Sequence, residues 1–248
     1  MNKVVLITGG SRGIGAATAM LASRKGFDVC INYLKNEKAA ADVVSAIKND
    51  GRKAIAIQAD IADEKQVINL FNAVDKEFGK LHGLVNNAGI LETQMRVTDM
   101  SADRLLRIFS SNVFGTFLCS KEAIKRMSTN NGGAGGCIVN VSSGAARSGS
   151  PNEYVDYASA KGAVDTMTIG LSKEVAAENI RVNAVRPGFI YTDIHASGGE
   201  PGRVDRLKDS IPMKRGGDPS EVAAAIVWLL SEESSYVTGA FIDIAGGR

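Results

Sequence analysis

A tyrosine and a lysine four residues apart, in Tyr157-Ala158-Ser159-Ala160-Lys161, are the most reactive pairing in the chain. On a helix that spacing brings a phenol and an ammonium to one face, about one turn apart. A free tyrosine titrates near pH ~10, and a cation within ~4–6 Å is expected to lower that value by roughly 1–3. Such a phenol exchanges a proton with an alcohol oxygen near neutral pH. The spacing by itself arises often by chance, so its weight depends on what accompanies it.

A second cluster, Thr8-Gly9-Gly10-Ser11-Arg12-Gly13-Ile14-Gly15, directly follows the apolar run Val4–Ile7 and precedes a stretch carrying Ala16, Ala17 and Ala19. Glycines between a first strand and a helix let backbone N–H groups approach a pyrophosphate where the helix dipole favours negative charge. The spacing is TGxxxGxG rather than GxGxxG. Many dinucleotide folds place an acid at the end of the second strand to hold the ribose 2′-hydroxyl. Here that strand has none: Asp28 sits at its wrong end and Glu37 falls inside the next helix. Arg12, Asn32 and Lys35 instead offer donors where a 2′-phosphate would sit, and the planar arginine fork suits phosphate. NADP(H) is therefore expected over NAD(H). Tyr33 either stacks near adenosine or packs at the strand's end.

These groups need a frame. Val4–Ile7, 29–32, Ala54–Gln58, 84–86, 137–141, 181–185 and Phe241–Ile244 read as strands, and helices begin near Gly13, Glu37, Asp63, Ala102, Val155 and Ser220. The strands are nearly continuous apolar runs, as expected when helices cover both sheet faces. A βαβ rhythm kept throughout predicts an α/β fold, a doubly wound parallel sheet of Rossmann type, in a single domain over 1–248. Residues 130–136 read as a glycine-rich surface turn, and 191–212 as a long loop placed to serve as a lid over a ligand.

Composition narrows the function classes. In 248 residues, 29 Lys+Arg against 27 Asp+Glu leave a charge of +2, so no charge asymmetry draws the chain to nucleic acid or membrane. No apolar run approaches the ~20 residues of a membrane span. Cys30, Cys119 and Cys137 are scattered, and with only two histidines no zinc pattern appears. The start runs directly into a strand and lacks a signal peptide's apolar core, so a reducing, cytoplasmic setting is expected.

The glycine loop, Asn86-Asn87-Ala88-Gly89, Asn112, Asn140-Val141-Ser142-Ser143, Tyr157 with Lys161, and Pro187-Gly188 followed by Thr192 occur in one order. Together they resemble the short-chain dehydrogenase/reductase family in its compact, single-domain form, from Lys3 to Gly247. The resemblance implies that Gly9, Ser11, Arg12, Gly13, Ile14 and Gly15 form the cofactor phosphate loop. It implies adenine contacts for Asp60 and Ile61, and places Asn87, Ala88 and Gly89 beside the adenine ribose, with Asn86 architectural. Ser143 would bond the substrate oxygen and Tyr157 would be the general acid/base. Lys161 would lower the phenol's pKa and hold the nicotinamide ribose, while Asn112 would hold a relay water. Pro187, Gly188, Ile190 and Thr192 would shape the nicotinamide pocket. Ser142 and Ser143 both end a strand and must face opposite ways; the family pattern favours Ser143.

The implied activity is an NADP(H)-dependent interconversion of a small-molecule carbonyl and alcohol. A rival within the class is 3-oxoacyl-carrier-protein reductase. An acidic carrier needs a basic docking face, and the neutral stretch after Lys125-Arg126, with Glu178, lacks one. A non-catalytic NADP-binding regulator would have lost part of the acid/base set. Residues 91–97 and the lid are expected to line the substrate pocket. His82, the cysteines and Trp228 read as structural, Trp228 as a core residue, and His195 as structural or substrate-facing. The helices 113–127 and 158–175 are apolar on several sides and need further cover, and the resemblance implies that they form subunit contacts in a homotetramer or homodimer.

Overall fold

The computed structural model describes residues 2–248. Seven strands, β1 (Val4–Ile7), β2 (Asp28–Tyr33), β3 (Ala54–Gln58), β4 (Gly83–Asn86), β5 (Gly136–Val141), β6 (Ile180–Pro187) and β7 (Phe241–Ile244), form one sheet. Their order is β3-β2-β1-β4-β5-β6-β7, and every pairing is parallel. The strand order reverses between β1 and β4, the switch point where open α/β sheets bind ligands at the strands' carboxyl ends. This is the doubly wound, Rossmann-like sheet expected from the strand and helix rhythm.

The helices are α1 (Gly13–Arg24), α2 (Glu37–Asn49), α3 (Glu64–Phe78), α4 (Ala102–Phe109), α5 (Gly115–Met127), α6 (Ala145–Ser148), α7 (Val155–Glu174), α8 (Ile194–Ser197), α9 (Arg203–Leu207) and α10 (Pro219–Leu230). Side-chain alternation divides β1 between two cores. Val5 and Ile7 pack with Ala19 and Ala22 of α1 and Val222 and Ile226 of α10, whereas Val4 and Leu6 pack with Phe71 of α3 and Ala123 of α5. Small residues on α1 let it lie close to the sheet and to α10. Asp63 and Asp218 cap α3 and α10, the latter in a full capping box with Glu221 and Pro219 at the first turn.

Two expectations need correction. Trp228 is not a core residue: it is 37% exposed, because α10 buries its other face through Val222, Ile226 and Leu229. The 191–212 stretch is not an open loop either, since it contains α8 and α9. The 130–136 turn is as expected, with Gly132 and Gly135 both at φ +80°. Among the described residues no helix is long and apolar enough to cross a membrane.

Candidate active site

A cavity of about 1030 Å³ runs along the carboxyl ends of the strands, from Lys35 beyond β2 to Arg248. Its first wall is the loop between β1 and α1. Gly9 has φ +62°, and a Cβ there would lie 2.9 Å from the Cα of Ala88; a Cβ on Gly15 would lie 2.4 Å from the carbonyl oxygen of Gly9. Only glycine lets this loop fold back on itself at the start of α1. Thr8 holds it to the β4 end: its hydroxyl accepts from the N–H groups of Asn87 and Ala88 at 3.0 Å. Asn87 donates to the carbonyls of Thr8 and Gly9 at 2.9 and 3.0 Å.

The structure brings Gly9, Ser11, Arg12, Gly13, Ile14, Tyr33, Asp60, Ile61, Asn87, Ala88 and Gly89 to the cavity wall at this end. Gly15 lies behind it, at the base of α1. Asn32 also borders the cavity, but its expected role as a phosphate donor is overturned. Its amide is buried and donates to the carbonyls of Tyr33, Ile57 and Ala59, at 3.3, 3.4 and 2.9 Å. Asn32 is a clasp joining the ends of β2 and β3, and its donors are spent there. Arg12 and Lys35 are exposed residues at the wall; among the described residues the ion-pair partner of Arg12 is the exposed Asp193, at 3.9 Å. Tyr33 packs into the core at the end of β2 and also borders the cavity.

The other end is built from buried side chains. Asn86 donates to Ser120 and to Asn140 (3.0 and 2.9 Å), and Asn140 donates to Thr168 of α7 at 2.9 Å. This polar ladder ties α5, β4, β5 and α7 together beneath the site and leaves Asn86 architectural. The serine ambiguity is resolved by geometry. The Ser142 hydroxyl donates back to the Lys161 carbonyl at 3.3 Å. Ser143 Oγ accepts from the N–H of Ala145 at 3.1 Å, and Ser143 lines the cavity with Tyr157, whose hydroxyl its proximity makes more acidic.

Lys161 Nζ donates to the Val141 carbonyl at 2.8 Å and lies 5.6 Å from the centre of the Tyr157 ring. The expected acidic phenol is not found. Burial pushes Tyr157 up to about 12, partly opposed by the nearby Ser143. Burial likewise pulls Lys161 down to about 8, with Asp165 one turn further along α7 opposing it. Desolvation disfavours the charged form of each group and dominates both shifts. Near neutrality the Tyr157 hydroxyl therefore keeps its proton.

Asn112 sits in a π turn, Ser110–Phe114, between α4 and α5. Its amide donates to the carbonyls of Ile90 and Ile108 at 3.0 and 2.9 Å, and its buried Oδ1 has no partner among the described residues. A Cβ on Gly89 would come within 2.5 Å of that Oδ1 and 3.5 Å of Lys161 Nζ, so both groups border one small space that glycine keeps open. A π turn with a functional side chain at its centre is a recurring arrangement.

Pro187, Gly188, Ile190 and Thr192 line the cavity beyond β6, and Thr192 leans against Gly13. Of residues 91–97 only Leu91 reaches the cavity. The others tie this segment down: Glu92 to Arg107, Gln94 to Glu200 at 2.6 Å, and the Met95 N–H to the Glu153 carbonyl at 3.0 Å. Glu153, Tyr154, Phe189, Arg203 and Arg248 line the outer part and carry no motif. Arg203 pairs with Glu153 and Glu200, and Tyr154 donates to the Gly198 carbonyl at 3.1 Å, so the lid is fastened rather than free. His195 is buried in it, its Nε2 3.0 Å from the Ile190 carbonyl. His82 is structural: its Nδ1 accepts from the Val4 N–H at 3.0 Å.

The glycine cradle at a helix tip and the Tyr157–Lys161 pair thus share one cavity at a topological switch point, and that donor set fits a nicotinamide dinucleotide. Comparison with known proteins agrees. Residues 9–248 match the family model described as Enoyl-(Acyl carrier protein) reductase. An uncharacterized oxidoreductase of Escherichia coli K12, YgfF, is 61% identical over 99% of both chains. Glucose 1-dehydrogenase 2 of Bacillus subtilis is 38% identical, over 99% of this chain and 94% of that one. A short chain dehydrogenase of Burkholderia cenocepacia J2315, solved in complex with NADP, superposes with a TM-score of 0.91 at 34% identity, over 99% and 97% of the two chains. The chain belongs to the short-chain dehydrogenase/reductase family and is an oxidoreductase.

Proposed function

We propose that the protein is an NADP(H)-dependent oxidoreductase interconverting a small-molecule carbonyl and its alcohol. The observation that carries this reading is the Tyr157–Ser143 pair in the same cavity as the glycine loop, with Lys161 buried beside it. When bound, the nicotinamide supplies hydride at a carbon of the substrate; orientation and proton management belong to the protein. Ser143 and Tyr157 both bond the reacting oxygen, stabilising alkoxide-like charge in the transition state. Tyr157 donates its proton in reduction and accepts one in oxidation. Lys161 would hold the ribose hydroxyls of a bound dinucleotide and supply positive charge beside Tyr157. Asn112 Oδ1 accepts from a water that refills the tyrosine proton through Lys161.

The cofactor preference rests on charge. Arg12 and Lys35 stand at the wall beyond β2, and no carboxylate ends that strand. The B. cenocepacia relative was solved with NADP. The carrier-protein reading is disfavoured because Arg126 is engaged by Asp75, Glu122 and Asn72, and Lys125 by Glu122. A non-catalytic role is disfavoured because Asn112, Ser143, Tyr157 and Lys161 are all in place. We further read the chain as one cytoplasmic domain, its three thiols free, buried and shifted upward by burial.

Exposed Leu106 (63%), Phe114 (57%), Phe117 and Ile169 on α4, the π turn, α5 and α7 support a homotetramer or homodimer; light scattering giving a monomer mass would overturn that part. A screen of ketones, aldehydes and sugars against NADPH and NADH, followed through nicotinamide absorbance, tests the reaction. Turnover with an NADPH preference in kcat/KM is the expected result.

A further inference from the structure

The helix before the π turn is inside out. On α4 the leucines at 105 and 106 face outward, while Arg104 is 3% exposed and shares the inward face with Ile108, one turn on. Arg104 points at the first turn of α7. Its Nε donates to Asp156 Oδ2 at 2.7 Å, and the Asp156 side chain has no exposure at all. Its Nη1 donates to the Thr93 carbonyl at 2.6 Å. Asp156 Oδ1, in turn, accepts from the backbone N–H of Tyr157 at 2.9 Å.

A buried ion pair is weak support for stability, because removing two charges from water costs several kcal/mol per ion before any gain. Here every arm of the pair goes to a segment that shapes the reaction site. One oxygen fixes the peptide that carries the tyrosine. The guanidinium fixes the 91–97 segment, whose Thr93 occupies the space where a Cβ on Gly199 of the lid would point and whose Leu91 lines the cavity. Arginine is suited to this because its rigid fork reaches a carboxylate and a carbonyl in one plane, which a lysine cannot.

We propose that Arg104 and Asp156 are positioning residues: a clamp that sets the Tyr157 phenol against the substrate wall, deepening the functional reading above and resting on it. Neither residue touches substrate. The clamp works by tying α4, the Thr93 segment and the start of α7 to one another.

The test is carbon NMR of protein carrying ring-labelled tyrosine, with and without NADP⁺. The chain has five tyrosines, and Tyr157→Phe identifies the Tyr157 line. In Arg104→Met/Asp156→Leu two apolar side chains of similar size replace the pair, a change that folds elsewhere without loss of stability. The expected result is a Tyr157 line displaced by more than its width, with those of Tyr33 and Tyr236 unmoved. If the double variant does not fold, Arg104→Lys decides, since it keeps the charge but not the fork. A Tyr157 line at its wild-type position in the folded variant overturns the clamp, because a merely stabilising pair moves the melting temperature and not this resonance. NADP⁺ separates the two ideas. A wild-type Tyr157 line that ignores saturating NADP⁺ removes the functional reading and the clamp with it. One that responds to NADP⁺ but not to the substitutions removes the clamp alone.

Discussion

The two ends of the cavity are made of different materials. At the phosphate end the wall is backbone held in glycine conformations, with Arg12 and Lys35 as solvated cations at its edge. At the other end the site rests on side chains, nearly all buried: the Asn86–Asn140–Thr168 ladder, Asn112, Lys161 and the Arg104–Asp156 pair, with Tyr157 half-buried among them. Backbone donors cannot be lost to a side-chain change, and exposed cations interact weakly through water. Buried groups carry large desolvation terms, so single changes there act strongly on both reaction and stability. The contrast teaches that affinity for the dinucleotide should be tolerant and salt-sensitive, and chemistry intolerant and pH-sensitive.

The largest expected break is Tyr157→Phe, which removes the acid and leaves the glycine loop untouched. Turnover should fall by roughly 10²–10⁴ with NADP(H) affinity unchanged, checked by steady-state kinetics beside calorimetric titration. Loss of cofactor affinity in equal measure would erase the distinction between the two ends.

Next is Arg104→Met alone. It strands the Asp156 carboxylate without a counter-ion and should cost about 3–5 kcal/mol of stability, read from chemical denaturation. The Asp156→Leu partner change should restore most of it.

Lys161 sharpens the comparison in the opposite direction. A fall from its ordinary 10.5 to about 8 costs the charged native form about 3 kcal/mol, at about 1.4 kcal/mol per pH unit. That cost is present in full below pH about 8 and fades as pH rises toward 10.5, because over that window the unfolded chain binds the extra proton. Lys161→Met should therefore raise the melting temperature at pH 7 while abolishing turnover, and should lose the wild-type rise in stability above pH about 8. In the wild type, carbonyl reduction should decline above pH about 8 as the ammonium is lost. A rate that climbs through that range would count against Lys161 as the cation.

The smallest effect is expected at Arg12. Arg12→Ala should weaken NADPH by about tenfold, near 1.4 kcal/mol, with NADH little affected. Added salt should shrink the difference. Discrimination that survives high salt would mean that a buried group reads the phosphate.

Much of this was legible in the residues. The apolar runs placed every strand to within two residues, since both sheet faces are covered and the pattern is plain. The glycine loop and the Tyr157–Lys161 spacing stood out because their chemistry is local. What did not show was long-range or environmental. Asn32 looks like a free donor until β3 arrives to take its amide. Tyr157 was expected to be acidic from its neighbour, whereas its burial depends on the whole cavity. Arg104 and Asp156 lie 52 positions apart. The one local hint was an arginine four residues before Ile108, on the face that should be apolar.

The π turn at Ser110–Phe114 has a consequence for the shape of the whole helical run. One surplus residue in a helix advances everything after it by about 100° around the axis. It acts as a phase shifter: α4 aims its inward stripe at α7, while α5, only a few residues later, aims its own at α3 and the sheet. Deleting one residue there would do more than misplace Asn112. It would turn Cys119, Ala123 and Met127 away from the sheet and rotate charged neighbours into their place.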